Sequence, residues 1–62
     1  MEHLIYVLGS EPEMMLAEME GEQTTSNEDE ALIFASKDEA LSIIEGLSGG
    51  NSFWGTRPPR PR

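Results

Sequence analysis

A small α+β fold, an antiparallel sheet with one amphipathic helix packed on one face, is predicted by two apolar runs of strand length and one capped stretch of helical periodicity. The runs are Leu4-Ile5-Tyr6-Val7-Leu8 and Ala31-Leu32-Ile33-Phe34-Ala35, and the periodic stretch follows Ser36. With 62 residues the chain is one domain at most, in the range where folding buries only about 60% of the surface of the unfolded chain. Every element must therefore contribute to a single core.

Residues 4–8 combine β-branched and aromatic side chains and stop at Gly9-Ser10, the pattern of a buried strand. Residues 10–21 admit two readings. Ser10-x-x-Glu13 has capping-box spacing, Pro12 suits a first turn, and Met14 to Ala17 are good helix formers, which describes a short helix over 12–20. Ser10 to Glu13 equally forms a turn between two strands, with the second strand over 15–20 turning at Gly21-Glu22. A helix of about ten residues is marginal by itself, so tertiary pairing decides, and the strand is the expected outcome. Residues 22–30 are polar and read as a loop with a short strand at its start. Residues 31–35 form the next expected strand.

Ser36-x-x-Glu39 is a second capping box, and Asp38 and Glu39 place negative charge where the helix dipole favours it. The helix is expected over 37–47, with Ala40, Leu41, Ile44 and Leu47 on one face. A last strand over 52–57 follows the Gly49-Gly50-Asn51 turn, and prolines 58, 59 and 61 prevent regular pairing beyond it. The domain organisation is thus one α+β domain over residues 1–56 and a basic Pro/Arg tail over 57–62, expected to be extended, polyproline-like and mobile.

Charge is strongly segregated. Residues 1–56 hold all 12 acidic side chains against Lys37 alone, while Arg57, Arg60 and Arg62 fall in the last six positions, giving a formal net charge of −8. Such fields act on association rather than on fold, and point to a macromolecular partner. Nucleic acid phosphates would be repelled by the acidic body, so direct nucleic acid binding is not expected. The longest apolar run has five residues, far short of the roughly 20 that cross a bilayer, and the start Met1-Glu2-His3 lacks the basic opening of a secretory signal. With no Cys in the chain, a reducing cytoplasm is the expected location.

No cofactor or metal is expected. The lone His3 lacks ligand partners, and Asn27-Glu28-Asp29-Glu30 lacks the alternating acids and glycine of a calcium loop. The phosphate-loop pattern is absent, and a chain this short offers little wall for a substrate pocket, so a non-catalytic protein is predicted. Phe53, Trp54, Arg57 and Arg60 are the candidate partner contacts, since aromatic residues and arginine dominate interface energetics. Glu18, Glu20, Glu22, Glu28 and Asp29 are the candidate acidic surface; on a strand, Glu18, Glu20 and Glu22 would share one face. That surface raises a second reading, a nucleic-acid mimic occupying a DNA-binding protein; a third is a small self-assembling structural protein, such as a homodimer, since self-association is one remedy for the marginal stability of so short a chain.

The stretch Ala31 to Leu41, with its Asp38-Glu39-Ala40-Leu41 helix start, followed by an aromatic strand and Thr56-Arg57, resembles small phage-encoded host-takeover proteins. It is similar to the RNA polymerase inhibitor family of T7-like phages. The resemblance implies a strand–helix–strand unit and a larger host protein as partner. It also implies arginines of the last strand, here Arg57 and Arg60, as contacts to polymerase. Pro58-Pro59 separates these two arginines, a departure from the family's alternation.

Overall fold

The computed structural model describes residues 1–60. Four strands, β1 (Leu4–Val7), β2 (Met15–Glu18), β3 (Gln23–Thr25) and β4 (Trp54–Arg57), form one antiparallel sheet in the order β3-β2-β1-β4. One helix, α1 (Lys37–Glu45), packs against β1 and β4. This is the α+β architecture expected from the sequence.

Residues 10–18 resolve in favour of the hairpin. Ser10 Oγ donates to the Val7 carbonyl at 2.8 Å and accepts from Met14 N–H at 2.9 Å, so the side chain that could have capped a helix closes the β1–β2 turn instead. The turn includes a cis Glu11-Pro12 peptide. Val7 N–H donates to the Met14 carbonyl at 2.8 Å, and Tyr6 faces Met15 across the pair. The second strand ends at Glu18, two residues before the expected boundary, and carries a register shift between Leu16 and Glu18.

The strand expected over 31–35 is not formed. Phe34 exchanges two main-chain hydrogen bonds with His3 (3.0 and 2.8 Å), while Leu32 N–H donates to the Leu16 carbonyl at 2.9 Å. The segment thus divides its bonds between His3, just before β1, and Leu16 of β2 rather than running beside one strand. Its apolar character is used in packing: Ala31 and Phe34 are buried.

At α1 the sequence logic holds in detail. Ser36 Oγ accepts from Glu39 N–H at 3.2 Å, and Asp38 and Glu39 occupy the first turn. The helix ends at Glu45, two residues before the expected boundary, and Leu47, two residues on, still packs in the core. Gly49 then takes φ +87°, and a Cβ there would fall 2.6 Å from Phe53 Cβ, so both the backbone and the space require glycine.

Strand alternation sorts the core onto two faces. Ile5, Leu16 and Trp54 meet Phe34, Ala40, Ile44 and Leu47 on the helix side. Leu4, Met15 and Ala31, with Tyr6 beside them, form a smaller cluster on the other. Full burial of side chains such as Ile5, Leu16 and Ile44 contributes about 1.5–3 kcal/mol each. β4 is an outer strand, and Pro58 after it supplies no N–H, which limits pairing with any further strand.

Candidate functional site

The sheet face away from α1 is closed by an ionic clasp that joins three segments. Arg57, the last residue of β4, sends Nε to Glu13 Oε2 at 3.1 Å and Nη2 to Glu13 Oε1 and to Glu28 Oε1, the latter at 2.9 Å. Its Nη1 donates to the Pro58 carbonyl at 2.9 Å, and Met15 Sδ lies 3.8 Å from Nη2. Glu28 Oε2 accepts the main-chain N–H of Arg60 at 2.9 Å, so one carboxylate holds both the guanidinium and the backbone beyond it. The fork of Arg57 meeting Glu13 in two bonds is the geometry in which guanidinium–carboxylate pairs are strongest.

Local structure aims each member. Glu13 sits in the β1–β2 turn that Ser10 closes. Glu28 begins a 3-10 turn (Glu28–Glu30) whose first residues are fixed by Asn27, its Oδ1 accepting from Asp29 N–H at 3.0 Å. Thr25 Oγ1 accepts from Asn27 N–H at 3.1 Å and donates to Glu30 Oε1 at 3.4 Å, tying this loop to β3. Arg57 is placed by its register opposite Leu4.

The clasp is partly sheltered, with Arg57, Glu13 and Glu28 side chains 21%, 29% and 19% exposed. The hydrogen bonds from Arg57 hold both carboxyls below the usual carboxylate range, Glu28 with further help from the Arg60 N–H. Those bonds, from Glu13 foremost, keep Arg57 protonated even more firmly than an ordinary arginine. An open cleft of about 310 Å³ lies beside the clasp, bordered by Pro12, Met15, Ser26 and Arg60.

The candidate contacts fare differently. Trp54 is 3% exposed, sits in the helix-side core and donates Nε1–H to the Ser48 carbonyl at 2.9 Å, which removes it from the surface. Its neighbour Phe53, 5.0 Å away in an edge-to-face contact, is 46% exposed. Arg57 belongs to β4 and to the clasp rather than to a separate tail, and residues 57–60 are bonded to the body at both ends, Arg57 by its side chain and Arg60 by its N–H. The Arg60 side chain is exposed. Pro61 and Arg62, the rest of that tail, lie outside the described residues.

The candidate acidic surface also divides. Glu18 closes β2, but Glu20 and Glu22 lie in a 3-10 turn with left-handed φ at Gly21 (+74°) and Glu22 (+50°), so the three do not share one strand face. Glu22 Oε2 accepts the Ser48 N–H at 2.8 Å, tethering that turn to the loop after α1. Glu18, Glu20 and Asp29 are exposed, whereas Glu22 and Glu28 are half-buried in structural bonds. Glu13 was missed as a site residue because its spacing from Ser10 reads as a cap; only tertiary pairing reveals its partner 44 residues on.

Among the described residues no group of three or more His, Asp or Glu side chains is arranged to hold a metal ion, and no helix is long and apolar enough to cross a membrane. Comparison with known proteins gave no match: no family model matches the chain, and no curated protein or solved structure is significantly similar to it.

Proposed function

We propose that this chain is a small non-catalytic binding module that docks on a basic surface of a larger protein and modulates it. The observation that carries the reading is the sorting of its carboxylates. The three half-buried acids, Glu13, Glu22 and Glu28, make long-range structural bonds, and the other nine are exposed, giving the body a strongly negative surface. Phe53, exposed beside the buried Trp54, supplies an aromatic anchor on the same rigid scaffold. Acidic steering toward a basic patch with one apolar anchor is a common division of labour at interfaces.

The Asp38-Glu39-Ala40-Leu41 helix start and Thr56-Arg57, which resemble phage host-takeover proteins although residues 31–35 do not form the strand of that family, are the support for a more specific form of this proposal: an inhibitor acting in a host cytoplasm on a target such as RNA polymerase. Titrating labelled protein with bacterial core RNA polymerase tests it. Saturable binding that weakens with salt and drops at least tenfold in Phe53→Ala supports the polymerase as target. Absence of binding removes the polymerase. Retention of binding in Phe53→Ala, with loss in Glu18→Gln/Glu20→Gln, selects the nucleic-acid mimic in place of the aromatic-anchored module.

A further inference from the structure

The clasp does more than close a face of the sheet. Both oxygens of Glu28 are committed, Oε1 to Arg57 Nη2 and Oε2 to the N–H of Arg60, and these two residues bracket Pro58-Pro59. Neither proline has an N–H, so the sheet cannot hold this stretch by main-chain pairing. Beyond β4, the Pro58 carbonyl accepts from Arg57 Nη1, and the far end of the segment is tied to the body by the Arg60 N–H to Glu28 bond, while Arg57 is fixed independently by its β4 register and by Glu13.

We propose that residues 58–60 form a strap latched by the Glu28 carboxylate, closed when that carboxylate is ionised and released when it is protonated, while β4 and the Arg57–Glu13 pair stay in place. The groups facing Glu28 are Arg57 from β4, Arg60 from the strap and Glu13 from the β1–β2 turn, with Asp29 and Glu30 adjacent in its own loop. The two arginines favour the ionised, latched form, and the acids oppose it. Opening the strap uncovers the Glu28 side of the cleft bordered by Met15 and Arg60. The inference stands whatever the protein binds.

Backbone order parameters from 15N relaxation test the strap, read at Arg60 and at the β4 amides in the wild type and in Glu28→Gln. The strap predicts an Arg60 value near that of rigid backbone, about 0.85, at neutral pH, falling below about 0.6 in the variant while Trp54 to Arg57 stay rigid. A mobile Arg60 in the wild type at neutral pH overturns it, as does a rigid Arg60 in a folded Glu28→Gln. Should the variant not fold, the wild type followed down a pH series decides. Loss of order at Arg60 that follows the titration of Glu28, ahead of any change in β4, supports the latch; loss only together with β4 contradicts it.

Discussion

On the helix side of the sheet seven buried residues, Ile5, Leu16, Phe34, Ala40, Ile44, Leu47 and Trp54, meet in one apolar cluster. On the opposite side, among the described residues, the buried cluster is Leu4, Met15 and Ala31, and Arg57, Glu13 and Glu28 close the face above them. The first arrangement draws on area removed from water, holds no titratable group and is not subject to ionic screening. The second draws on charge, on which pH and salt both act. A 62-residue chain without disulfides has apolar residues enough for one well-filled side, and the ion pairs complete the other. The difference teaches that the same sheet has a permanent face and a conditional one.

Breaking the permanent face should have the largest effect. Ile44→Ala removes a fully buried side chain at the centre of the helix contact and should cost about 2–5 kcal/mol, comparable to the whole stability of a domain this small. Thermal unfolding followed by far-UV circular dichroism should show a chain largely unfolded at room temperature. Breaking the conditional face is milder. Arg57→Ala should cost on the order of 1 kcal/mol, as partly exposed ion pairs do, and chemical denaturation should show the loss shrinking at high salt.

What the sequence made legible follows the same division. The Ser36 cap, α1 and β1 could be read because local chemistry and burial demand the same conformation there. Residues 31–35 misled because their apolar pattern reports burial but not pairing, and His3 before β1 and Leu16 in β2 take the segment's hydrogen bonds separately. Ser10-x-x-Glu13 reads as a cap, yet both residues serve contacts that exist only after folding: Ser10 across a turn, Glu13 across the sheet. Likewise Arg57 announced itself as a surface cation. Its partners, 44 and 29 positions away, could not be paired by spacing.

The charge effects have a definite sign. Glu13 and Glu28 are held below the range of unfolded carboxylates, so in the transition region the unfolded chain binds more protons than the folded one. The clasp's contribution is complete above the unfolded glutamate value of about 4.3 and is lost as pH falls through the lower folded values.

A double-mutant cycle on the unfolding free energy, using Arg57→Ala, Glu13→Ala and the combined variant, tests the two-face account most directly. At pH 7 it should give a favourable coupling of at least about 0.5 kcal/mol, and the coupling should shrink as acid protonates Glu13, whose carboxyl is held below the usual range. Zero coupling at neutral pH, or a coupling unchanged by acid, would contradict the account.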